Sequence, residues 1–221
     1  ITYNNASPKS WGIDLAVDLN DNIIFVGRYE GNIDCDPGVG VFEISSVFPN
    51  WSFINVFFIK LDSNGNFIHG GELTDGYYDT NVIYGVTTDH NNNSFLVGRF
   101  SGTMDFDPTT GAQLETPTGA RDLYLIKLNA VGDFVFGQRI GGSGTNQIYP
   151  YDITTDHFGD VYLVGKHSGS SLDFNGVLLS GSFNSFIYKM TNSGISQWVL
   201  GYTAEPKCVD VDLDKNLYLQ G

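Results

Sequence analysis

The chain has 221 residues, enough for one domain with a sizeable core, and its 27 glycines, 14% aromatic and 16% charged residues favour short strands and tight turns over helices. A net charge of -14, from 25 acidic against 11 basic residues, repels phosphate backbones and anionic lipid, which argues against nucleic acid and membrane surfaces as partners. No apolar run approaches the length of a membrane span, so no membrane insertion is expected.

In chain order, "ITYNNASPK" (1–9) matches a stretch that leaves a later strand, "LGYTAEPK" (200–207), and predicts the tail of a repeat unit. "VDLNDNIIFVGR" (17–28) then opens a first complete unit, followed by "GNIDCDPG" (31–38) and "VFFIKLDSNGNF" (56–67). The order returns as "TDHNNNSFLVGR" (88–99), "GTMDFDPT" (102–109) and "LYLIKLNAVGDF" (123–134). It returns again as "TDHFGDVYLVGK" (155–166), "LDFNG" (172–176) and "FIYKMTNSGIS" (186–196), and "VDLDKNLYLQG" (211–221) starts a fourth copy. The anchoring aspartates Asp18, Asp89, Asp156 and Asp212 are 71, 67 and 56 residues apart. Each unit holds four apolar runs separated by Asn, Asp and Gly turn clusters, which predicts a four-stranded meander. In "LYLIKL" both alternating sets are apolar, as in a strand covered on both faces by neighbouring sheets.

Four-stranded units repeated in this way predict an all-β fold, a β-propeller, with a β-solenoid as the alternative. Residues 1–221 form a single propeller region on this reading: a partial blade over 1–10, blades over about 11–75, 82–143 and 149–201, and a partial blade over 205–221. Three complete blades with partial ones at both ends predict a piece of a longer polypeptide whose remaining blades are partners of these.

"DVYLVGK" and "NLYLQG", with the "IKLDSNGNF" and "RIGGSG" segments, resemble the SBBP-type bacterial β-propeller repeat, and "GNIDCDPG" and "GTMDFDPT" fit its subgroup with a D-F-D-P-G phrase between the second and third strands. The resemblance covers nearly the whole chain. It implies a secreted or cell-surface bacterial protein, exported by analogy through the type IX system, and it brings no shared catalytic residues.

The residues nominate no catalytic constellation. His90 and His157 each follow an anchoring aspartate, but adjacent strand residues face opposite ways and cannot form a triad. "GGSGTN" (141–146) lacks the lysine and helix of a phosphate cradle. Cys35 and Cys208 lie in different units and read as unpaired small hydrophobes. Arg28, Arg99 and Lys166 recur in register after a glycine and read as scaffold, and Trp11, Trp51 and Trp198 read as packing between blades. The unrepeated "FPNWSF" insertion (48–53) is the exception, so Trp51 and Phe53 are the candidate binding residues. Asp34 and Asp36, Asp105 and Asp107, and Asp173 and Asn175 recur as spaced pairs, with Lys60, Lys127 and Lys189 expected beside them as a structural latch. The alternative is that these pairs ligate Ca²⁺, disfavoured because two oxygens fall short of the 6 to 8 that this ion takes. No other cofactor is expected. The expected function is a non-catalytic binding or scaffold module that engages another protein or a glycan through propeller loops. An extracellular propeller enzyme acting on polysaccharide, a lyase or glycosidase, is the alternative.

Overall fold

A computed structural model describes residues 9–45, 55–73, 81–169 and 171–221. These are all-β, with no helix among the described residues. The first sheet comprises β1 (Lys9–Val17), β2 (Ile23–Glu30), β5 (Asn55–Leu61) and β6 (Phe67–Leu73), antiparallel in that order. The second comprises β7 (Val82–Thr88), β8 (Ser94–Phe100), β11 (Asp122–Leu128) and β12 (Phe134–Ile140), and the third β13 (Gln147–Thr155), β14 (Val161–Ser168), β17 (Ser185–Met190) and β18 (Ser196–Tyr202). A hairpin of β19 (Cys208–Val211) and β20 (Leu217–Gln220) follows. β1 packs on β7, β7 on β13 and β13 on β19, so the first strand of each sheet lies beside the first strand of the next. This is the arrangement of consecutive β-propeller blades.

Each complete sheet carries one element that the apolar pattern did not disclose. Between its second and third strands stands a separate two-stranded hairpin: β3 (Asn32–Asp34) with β4 (Glu43–Ser45), β9 (Met104–Asp105) with β10 (Leu114–Glu115), and β15 (Ser171–Phe174) with β16 (Val177–Ser180). Strands of two to four residues are too short to show a period of their own.

The turns are built by the anchoring aspartates. Asp18 Oδ1 accepts from the amides of Asn20 (2.9 Å) and Asn22 (3.0 Å), and Asp89, Asp156 and Asp212 do the same two and four residues on. The residue three past each anchor has positive φ: Asp21 at 59°, Asn92 at 62°, Gly159 at 80° and Lys215 at 65°. Asn and Asp tolerate that region and Gly enters it freely, which explains the composition of the turns. His90 and His157 are exposed at these turn tips.

The core lies between the sheets. Along β11, Leu123 and Leu125 face the third sheet, where they join Leu163 and Phe186, while Tyr124, Ile126 and Leu128 face the first, where they join Val26 and Phe58. Period-2 alternation with both sets apolar is the signature of a sheet sandwiched on both sides.

A bulge shifts register in the first strand of each four-stranded sheet, adding Ile13, Tyr84 and Tyr151 between paired residues. Opposite each bulge stands the glycine of the repeated "VGR" or "VGK": Gly27, Gly98 or Gly165. A Cβ at Gly98 would overlap the Val82 carbonyl oxygen and the Tyr124 hydroxyl. The glycine is therefore required by close approach of two strands rather than by its φ. Gly98→Ala is expected to destabilise by about 2 kcal/mol through overpacking. A urea titration showing an unchanged midpoint would contradict this account.

Candidate functional site

The repeated Asp-x-Asp phrase sits in the small hairpins. Asp34 Oδ1 accepts from the amides of Asp36 (3.0 Å) and Phe42 (2.9 Å), and Asp105 Oδ1 from those of Asp107 (3.0 Å) and Gln113 (2.8 Å). Asp36 and Asp107 in turn accept from Gly38 (2.7 Å) and Thr109 (2.9 Å). A Cβ on Gly40 or Gly111 would overlap those second carboxylates, which explains the D-P-x-x-G spacing. In the third copy Asn175 and Gly176 have φ of 51° and 94° between the paired Phe174 and Val177, an Asn-Gly hairpin turn. Asn175 there turns the chain, and Asp173 accepts from Gly176 at 2.6 Å. The residue between the two positions, Cys35, Phe106 or Phe174, is buried in the apolar layer. Burial, with Asp34 and Glu72 adding, pushes the Cys35 thiol up to about 11, so it stays a thiol. Neither Cys35 nor Cys208 is disulfide-bonded.

The lysines do not meet these aspartates. Lys60 pairs with Ile24 at the start of β2, Lys127 with Phe95 and Lys189 with Tyr162, at the far end of each sheet from the small hairpin. Lys60 Nζ lies 2.8 Å from Asp18 and donates to the Ala130 carbonyl of the next sheet at 2.8 Å. Lys127 Nζ lies 3.9 Å from Asp89 and donates to the backbone carbonyl (2.9 Å) and side chain of Asn192, again one sheet on. Lys189 differs, reaching Asp160 at 2.9 Å. The latch between sheets is thus made by the anchoring aspartate, the third-strand lysine and the next sheet's turn. Burial opposes the Asp18 carboxylate, but Lys60, Asn22 and Asn20 outweigh it and hold its pKa below the ordinary value. Burial pulls the Lys127 ammonium down against Asp89.

The inner strands carry a second set of bonds between sheets. Asp14 accepts from the Val86 amide (2.9 Å), and Asp152 from that of Val209 (2.8 Å). Burial raises the Asp152 carboxyl above its ordinary value, with the charges of Asp14 and Asp210 contributing. Among the described residues, no group of three or more His, Cys, Asp or Glu side chains could hold a metal ion.

One face escapes these structural roles. Arg28, Arg99 and Lys166 stand in register ten residues after their anchors, on the second strand of each sheet and paired with Trp11, Val82 and Tyr149 of the bulged first strands. The Arg99 guanidinium lies 4.3 Å from the Tyr149 ring centre and 5.7 Å from that of Tyr84. Lys166 lies 5.4 Å from Tyr149 and 5.8 Å from Tyr151, and Lys207 lies 3.8 Å from Tyr151. Cations and aromatic rings therefore alternate from the second sheet to the last hairpin. The sequence shows the recurrence of the cations, but Tyr84, Tyr149 and Tyr151 escape notice because they are not repeated in every unit and two of them sit in bulges. Trp11 is exposed across from Arg28, while Trp198 is half-buried against Tyr162. Trp51 and Phe53 lie outside the described residues.

No protein-family model matches the chain. It is similar to an uncharacterized WD repeat-containing protein of Acanthamoeba polyphaga mimivirus, 23% identical over 186 residues, which cover 74% of this chain. The chain spans only 13% of that relative's length. A crystal structure of a protein of unknown function from Bacteroides caccae covers 87% of this chain, and is itself covered to 82%, at 10% identity and a TM-score of 0.31. The sheets and the WD-repeat relative agree on a repeat-built, propeller-like fold.

Proposed function

We propose that this chain is a non-catalytic binding module of a secreted or cell-surface bacterial protein of the SBBP-type repeat group, which joins further blades and engages a protein or glycan at one end of the propeller. One observation carries the reading. Polar residues repeated in every unit are spent on turns and on latches between sheets, whereas the rim position seven residues before each anchor changes from Trp11 to Val82, Tyr149 and Glu205 beside a retained cation. Repetition builds scaffold, and variation on a repeated frame builds a recognition surface. The WD-repeat likeness supports protein interaction in general.

The raised Asp152 carboxyl beside Asp14 and Asp210 supports the second reading, an enzyme acting on polysaccharide. Against it, Asp152 already accepts from the Ile153 and Val209 amides. Peptide and glycan arrays probed with the full chain, together with a reducing-end assay on acidic and neutral polysaccharides, separate the two. The module reading expects saturable binding and no new reducing ends. Cleavage that Asp152→Asn abolishes would overturn it.

A further inference from the structure

The first two junctions between sheets are built alike, and one residue sets them apart. At the first, Lys60 Nζ lies 2.8 Å from Asp18 and donates to the Ala130 carbonyl at 2.8 Å. At the second, the equivalent residues are Lys127, Asp89 and Asn192, since Ala130 and Asn192 each follow the residue that opens the turn between third and fourth strands, Asn129 or Thr191. Lys127 Nζ again donates to the backbone carbonyl, at 2.9 Å, but stands 3.9 Å from Asp89. The Asn192 carboxamide fills the interval. Its Oδ1 accepts from Lys127 Nζ, while its Nδ2 donates to Asp89 Oδ2 at 2.6 Å and to the Gly159 carbonyl at 3.1 Å. The lysine and aspartate side chains are buried, and Nζ lies 5.1 Å from the centre of the Phe95 ring.

An amine, an amide and a carboxylate in this order are the parts of an acyl transfer. Burial pulls the Lys127 ammonium down, toward the neutral amine that acts as a nucleophile. Its bond to the Asn192 backbone carbonyl holds it beside Cγ, one covalent bond beyond Oδ1. Burial opposes the Asp89 carboxylate, but Asn93 and Asn192 outweigh it and hold its pKa below the ordinary value, so it can take a proton. The nitrogen it touches is the one that would leave. Amides resist amines in water, but two partners fixed in a packed interior gain a large effective molarity.

We propose that Lys127 and Asn192 join in an isopeptide bond, formed by the chain alone with Asp89 as proton shuttle, which ties the second sheet covalently to the third. The amine, having released one proton to water, attacks Cγ and forms the Nζ–Cγ bond. Asp89 takes a second proton from Nζ and passes it to Nδ2, the Cγ–Nδ2 bond breaks, and ammonia leaves. An amine and a primary amide become a secondary amide and ammonia, with no oxidant or reductant required. The first junction cannot do this, because Ala130 offers Lys60 no side-chain carbonyl. The inference goes beyond the binding-module reading and does not depend on it.

The test is the intact mass of the purified full chain under denaturing conditions. The wild-type chain should be lighter than its sequence by one ammonia, about 17 Da, and a proteolytic digest should hold a branched peptide that joins Lys127 to Asn192. Lys127→Met and Asn192→Ala should each restore the full mass. A wild-type chain at its full sequence mass overturns the proposal, whatever the stability of the variants. A loss of ammonia that maps to Asn64 or Asn175, each followed by glycine, reports a succinimide and overturns it equally, as does a loss that persists in Lys127→Met. Asp89→Asn should also keep its full mass. An Asp89→Asn chain that melts cooperatively and still loses the ammonia overturns the role given to Asp89.

Discussion

Phe106→Ala is expected to lower the free energy of unfolding by about 3–5 kcal/mol. The ring projects from the β9–β10 hairpin into the layer between the first and second sheets, fully buried, with Phe100 edge-on at 5.1 Å and Tyr124 at 6.0 Å. It also fills the space beside Gly137 of β12, where a Cβ would strike it. Truncation therefore leaves a cavity bounded by elements that cannot collapse, since the sheets are held apart by the rest of the layer. Phe174→Ala should behave alike, because Phe174 stands 5.1 Å from Phe186 and 4.8 Å from Tyr188 in the next layer. Cys35→Ala removes a single sulfur from the corresponding place and should cost only about 1 kcal/mol. Urea titrations of the three variants give the ranking, and a loss below about 1 kcal/mol for Phe106→Ala would show that the small hairpins are ornaments.

Lys60→Met is expected to cost about 3 kcal/mol, and Lys189→Met about 1 kcal/mol or less. Methionine keeps much of the length and apolar stem, so the difference reports the ammonium. The side chains of Lys60 and Asp18 are 4% and 0% exposed, so removing the cation strands a buried carboxylate and an unpaired Ala130 carbonyl. Lys189 and Asp160 are 14% and 21% exposed, and water replaces much of what is lost. The sign with pH follows from the depressed pKa of Asp18. Its contribution is present above the ordinary carboxylate pKa of about 3.9 and is lost as pH falls through the lower folded value. The gap between the wild-type chain and Lys60→Met should therefore hold at neutral pH and shrink below about pH 4. Equal melting temperatures for Lys60→Met and the wild-type chain at pH 7 would show that the latch contributes nothing.

The latch also illustrates what a single chain reveals. Lys60, Lys127 and Lys189 are visible as repeats, and so are the Asp-x-Asp phrases, and proximity in register suggests pairing them. The meander separates them instead. The phrase follows the end of the second strand, whereas the lysine lies beside that strand's start, across from Ile24, Phe95 or Tyr162. The true partner, Asp18 or Asp89, was equally visible as the turn anchor, and its double duty as turn cap and counter-ion is a fact of strand order.

What the sequence determined by itself was local or periodic. The turns follow from Asx chemistry and residues that accept positive φ, the burial of β11 on both faces from uninterrupted apolar alternation, and the succession of sheets from the ordered repeats. What the tertiary structure decided was non-local or parity-breaking. The small hairpins are too short for a period, and they find their place only because a neighbouring sheet offers Phe106 or Phe174 a layer to fill. A bulge in the first strand of each four-stranded sheet adds one residue and reverses the facing of what precedes it, so that Tyr84 and Tyr151 stand where alternation would not put them. Arg99 meets the Tyr149 ring across a sheet boundary that only the packing of one sheet on the next creates.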